Sequence, residues 1–131
     1  MKLSEHSRNR LLETFARWQV PKDYADPMYN YLVHGFEPGS FFTALLANDF
    51  ASAIQHSHPA NSIPALKALV GWMQSAMPES AYGSRRAVKT WLELPPHIRR
   101  EELIKYDLVF AEEDEMMKVL QGERTHEPIL W

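Results

Sequence analysis

Apolar side chains recur every three or four positions along most of this chain, and prolines or glycines interrupt the rhythm at short intervals. That period places side chains on one face of an α-helix, whereas a strand needs alternation at every second residue. Leu11, Leu12, Phe15 and Trp18 form a first stripe, ended by Pro21. Asp26-Pro27 reads as an N-cap followed by a proline that opens a second helix, running to about His34 with Gly35 as its left-handed C-cap. Met28, Tyr31 and Leu32 face inward from it. Pro38-Gly39 makes a turn, and Ser40 caps a third helix from Phe41 to about Gln55. Phe41, Phe42, Leu45, Leu46, Phe50, Ala53 and Ile54 cover more than half its circumference, which predicts the central, most buried helix. Ser62 and Pro64 open a fourth helix carrying Ile63, Leu66, Val70, Met73 and Met77, and Pro78 stops it. Gly83-Ser84 opens a fifth, with Ala87, Val88, Trp91 and Leu92 inward, closed by Pro95-Pro96.

Beyond that point the pattern admits alternatives. Ile98, Leu103, Tyr106, Phe110, Met117 and Leu120 fit one long helix or two short ones, and Leu108 to Phe110 fits a brief strand near 107–111. The expected fold is therefore all-α, a compact bundle-like array of five to seven short helices. One domain spans 1–131, with 1–94 as the helical core and 95–131 as a C-terminal extension packing on it. Apolar residues make up 45% of the chain, enough to offset the entropy of ordering it.

The chain contains no cysteine, which removes disulfides, thiolate nucleophiles and cysteine zinc sites together. Its first residues, MKLSEHSRNR, turn polar at once, so no signal peptide is expected there. No apolar run reaches the roughly 18 residues that cross a bilayer. A soluble, cytoplasmic protein with no membrane partner is the expectation. The formal charge of −3 disfavours a general nucleic-acid binder while leaving room for a local basic patch.

Few residues form a chemical constellation. His56 and His58 are the closest histidine pair, but they lie in a Pro-containing loop without a third ligand, so no metal is expected. The Pro38-Gly39-Ser40 turn lacks the further glycines and the lysine of a phosphate-cradling loop, so no nucleotide or other cofactor is expected. Asn48-Asp49 is a pair of poor helix formers placed mid-helix. Either Asp49 lines a pocket, or it holds a neighbouring arginine or helix start. With Ser40 it is read as structural. Arg85, Arg86 and Lys89 put positive charge at a helix start, where Arg99 and Arg100 can extend them into a site for an anion, nucleic acid or acidic partner. Tyr29, Phe36, Trp72 and Trp131 fit the apolar stripes poorly and are candidates for an interface.

The stretch from Trp18 to Leu92 resembles a group of small phage and prophage proteins of uncharacterised function. Two motifs carry the resemblance. The first is His-Gly-x-x-Pro-Gly-Ser-Phe-x-Thr-Ala-x-Leu-x-Asn-Asp, matched by His34, Gly35, Pro38, Gly39, Ser40, Phe41, Thr43, Ala44, Leu46, Asn48 and Asp49. The second is Gly-Ser-x-x-x-Val-x-x-Trp, matched by Gly83, Ser84, Val88 and Trp91. The resemblance covers a little over half the chain. It implies a mobile-element origin and work in the cytoplasm of a bacterial host, and it supplies no catalytic residues. The expected function is a non-enzymatic interaction module that binds a host or defence protein, with self-association left open. A nucleic-acid accessory protein using the basic patch is the alternative. A small hydrolase centred on Asp49 and His34 comes last.

Overall fold

The computed structural model describes residues 3–57 and 62–109, and every regular element among them is helical. The all-α array expected from the spacing is what forms. Helix α1 (Leu3–Arg17) buries Leu11 and Phe15. It stops short of Pro21 because Gln19 turns left-handed at φ 60°. The Val20 N–H then reaches back to the Phe15 carbonyl at 2.9 Å and the Gln19 N–H to that of Ala16 at 3.1 Å, a helix stop of the Schellman kind. Trp18 therefore falls outside the helix and off the core stripe.

A 3₁₀ turn (Lys22–Tyr24) leads into α2 (Ala25–Tyr29), which continues as a π-turn (Asn30–His34). Asp26 lies inside α2 and does not cap it; its carboxylate accepts from Arg8 of α1 at 2.7 Å. Gly35 closes the π-turn in the left-handed conformation, φ 67°, as its position predicts.

The long third helix is instead two helices, α3 (Ser40–Leu46) and α4 (Phe50–His56). Asn48 adopts φ 65°. The Asp49 N–H bonds back to Ala44 at 2.9 Å and the Asn48 N–H to Leu45 at 3.1 Å. The Asp49 carboxylate then accepts from the Ser52 N–H at 3.2 Å, capping α4. Asparagine tolerates the left-handed region better than most residues with a Cβ, and aspartate is a strong N-cap. The polar pair thus acts as a stop followed by a start. Ser40 begins α3, but its hydroxyl makes no capping bond, and Gly39 holds the cap position.

Helix α5 (Ile63–Ala76) starts as expected, with the Ser62 hydroxyl accepting from the Ala65 N–H at 3.2 Å. In α6 (Arg85–Glu93), Ser84 caps Ala87 in the same way at 3.0 Å. Helix α7 (Pro96–Lys105) ends at Asp107, φ 62°, and the Leu108 N–H returns to Leu103 at 2.9 Å. Leu108 is buried, and it holds the place in a Schellman stop that commonly carries an apolar residue. Residues 107–109 accordingly make no strand. The rest of the 107–111 segment, and the extension as far as Trp131, lie outside the described residues.

Two fully buried tryptophans organise the interior. Trp72 of α5 meets Phe15 of α1 edge-on, with ring centroids 4.9 Å apart. Its indole N–H donates to the Thr14 hydroxyl at 3.0 Å, which in turn donates to the Leu11 carbonyl at 2.8 Å. Trp91 of α6 donates to the Tyr31 carbonyl at 3.3 Å, and the Tyr31 hydroxyl donates to the Ala81 carbonyl at 2.7 Å. Burial pushes the Tyr31 phenol well above its ordinary value. Helix α7 packs on the π-turn and α1 packs on α2 and α5, while α3 packs on α4 and α6.

Candidate functional site

The two motifs that are far apart in sequence meet in space. The Gly83 N–H donates to the Leu46 carbonyl at 2.7 Å, joining the approach to α6 to the end of α3. One residue past the Ser84 cap, Arg85 donates to the Asp49 carboxylate at 3.0 Å. The Ser52 N–H and the Arg85 guanidinium hold Asp49 below the ordinary carboxylate range, so it stays charged. The Thr43 hydroxyl donates to the Pro38 carbonyl at 3.1 Å and fixes the turn before α3. Between these parts lies a polar cleft of about 240 Å³, lined by Glu37, Pro38, Ser40, Thr43, Ser52, His56 and Arg85. Asp49 has a full structural account here: it caps one helix and anchors another.

His34 does not join that cleft. Its ring packs between Tyr29 at 5.5 Å and Phe36 at 5.4 Å. Half-burial, with Arg99 and Arg100 nearby, lowers its pKa below the ordinary value. The Asp49 and His34 pair that a hydrolase would use is thus split between two environments. Among the described residues, no group of three or more His, Asp or Glu side chains is placed to hold a metal ion. His58 lies outside them.

The expected basic surface is only partly there. Arg85, Arg86 and Lys89 are exposed on α6, with Arg85 engaged by Asp49. Arg99 and Arg100 do not extend the patch, because they are 4% and 0% exposed. With Leu103 they form the inward face of α7, a face too poor in apolar residues to be read from spacing. The Arg99 guanidinium lies so close over Gly35 that a Cβ there would stand 2.6 Å from its central carbon. Neither arginine is free. Of the aromatic interface candidates, Tyr29 and Trp72 are core residues, Phe36 is exposed, and Trp131 lies outside the described residues.

The feature that the sequence did not reveal is an apolar groove between α4 and α5. Phe50 and Ile54, one turn apart, form one wall, and Ile63, Leu66 and Val70 form the other. Leu45 and Ala53 lie beneath, and the groove encloses about 480 Å³. Phe50 is 44% exposed, Ile54 58% and Ile63 66%, although helical spacing places all three in the core. Lys67 and Gln74 are its polar members. At the Gly71 end, the Trp18 ring lies against α5, 3.4 Å from where a Gly71 Cβ would stand.

No family model matches this chain, and no curated protein or solved structure matches it at a significant level. The Asn48 break explains the groove: an unbroken helix would continue the α3 stripe inward, whereas the stop and restart release Phe50 and Ile54 from the interior. An Asn-Asp pair inside an apolar run is the signal that marks such a break.

Proposed function

We propose that this chain is a non-enzymatic protein-interaction module of the phage or prophage kind. In this reading it works in the cytoplasm of a bacterial host and binds a host or defence protein through the α4–α5 groove. The exposure of Phe50, Ile54 and Ile63 around a continuous apolar trough carries the proposal. Contiguous apolar surface of this kind marks an interaction site far more strongly than single exposed residues do. Covering these half-exposed side chains is worth about 1 kcal/mol each before the costs of association.

The nucleic-acid alternative has less support. Counterion release needs several free cations along one face. Burial of Arg99 and Arg100 and the commitment of Arg85 to Asp49 leave Arg86 and Lys89 as the open part of the expected patch.

A photo-activated cross-linker placed in bacterial cells at position 54, and separately at position 89, tests the choice. The proposal expects a cross-link from position 54 to another protein. A nucleic-acid adduct from position 89, with no protein adduct from position 54, would overturn it.

A further inference from the structure

The groove's form and charge narrow what it can hold. We infer that its occupant is an amphipathic helix of another protein, with apolar anchors spaced i, i+4 and i+7 and an acidic residue on the flank that meets Lys67. This rests on reading the groove as a partner site.

Three observations support it. The first is the shape of the trough. Two helices wall it, and the described residues contain no strand whose edge a peptide could extend. Its walls are aliphatic apart from Phe50, whereas proline-rich ligands dock between aromatic rings. The second is length. From Ile63 to Gln74 the α5 wall runs about 17 Å at 1.5 Å per residue, room for three turns and hence three anchors. Ala53 and Gly71 are the small residues beside which an anchor can seat, and Trp18 bounds the Gly71 end. The third is charge. Among the described residues that line the groove, Lys67 is the charged one and none is a carboxylate. A second copy docked on the same face would bring another Lys67 towards the first, so self-pairing is disfavoured.

The test is a titration of the full chain, methyl-labelled for NMR, with three synthetic peptides of about 14 residues, four helical turns. One carries leucines at i, i+4 and i+7 with a flanking glutamate, one has lysine in place of that glutamate, and one has a scrambled order. The inference expects the first peptide to shift the Ile54, Ile63 and Val70 methyls and the Trp18 emission. It also expects binding about three-fold tighter than for the lysine peptide, the size of an exposed ion pair. In Lys67→Glu the preference reverses. The scrambled peptide leaves the groove unmoved, and Ile54→Glu or Ile63→Glu abolishes the response while the circular dichroism stays unchanged. Equal response to ordered and scrambled peptides would overturn the inference, as would groove methyls that shift with protein concentration alone, the sign of a second copy. If the position 54 cross-link to a partner persists while the peptides fail, the helix-and-acid inference falls and the partner site stands. If both fail, both fall.

Discussion

The interior around Trp72 and the groove between α4 and α5 draw on the same residue types and even on the same helix, yet only one of them is closed. Trp72 on one side of α5 is buried against Phe15 of α1, and its indole N–H has its acceptor in Thr14. On the other side, Ile63, Leu66 and Val70 line a trough that α4 fails to fill. The difference teaches that apolar spacing fixes which residues want to leave water but not which neighbour covers them. That depends on where the chain turns, and here the turn is made at Asn48.

The largest expected effect sharpens the closed side. Trp72→Ala leaves a cavity and removes the donor to the Thr14 hydroxyl, and urea unfolding is expected to show a loss of about 3–5 kcal/mol. A loss below about 1 kcal/mol would mean that this region is not the core. Next, Gly35→Ala combines a left-handed backbone with a clash against the Arg99 guanidinium, with an expected loss of about 2 kcal/mol. Full retention of stability there would show that α7 does not press on the π-turn.

The third test can break the comparison outright. Asn48→Ala places a Cβ residue without asparagine's tolerance at φ 65°, with an expected loss of about 1 kcal/mol, while Asn48→Gly holds or gains stability. Stabilisation by alanine would mean that α3 and α4 prefer to fuse, and the groove would lose its cause. The pH dependence follows in size. His34 is held below its ordinary 6.5, so below that pH the unfolded chain takes up a proton that the folded site resists. Stability is therefore expected to fall as pH drops through 6.5 towards the folded value, and His34→Asn flattens that slope. The smallest effect belongs to the open side. Ile54→Ser and Ile63→Ser each change stability by only about 0.5 kcal/mol, since neither side chain is closed in. Losses near 3 kcal/mol would place both in the core after all.

Much of the fold was legible before the structure, because its starts and stops use familiar chemistry. Ser62, Ser84 and Gly35 each do what their position announces. The helix stops that spacing does not show share one cause. Three helices end with Gln19, Asn48 and Asp107 in the left-handed conformation where glycine is usual, and at Asn48 and Asp107 no glycine or proline marks the stop. Without the stop at Asn48, spacing alone places Phe50 and Ile54 in the core and leaves no groove. Without the one at Asp107, Leu108 and Val109 also fit a strand. Burial of Arg99 and Arg100 escapes the sequence for a different reason: a guanidinium settles in an interior only when tertiary partners exist, and spacing says nothing about those. A lone carboxylate mid-run needs an arginine or a helix start, and Asp49 has both.

The most direct check on the groove is the cross-link from position 54 in bacterial cells, compared between the otherwise unaltered chain and one that also carries Ile63→Glu. A protein adduct that disappears with Ile63→Glu, while the unfolding midpoint holds, is the result expected of a partner site. An adduct that survives the charge, or none in either chain, would contradict it.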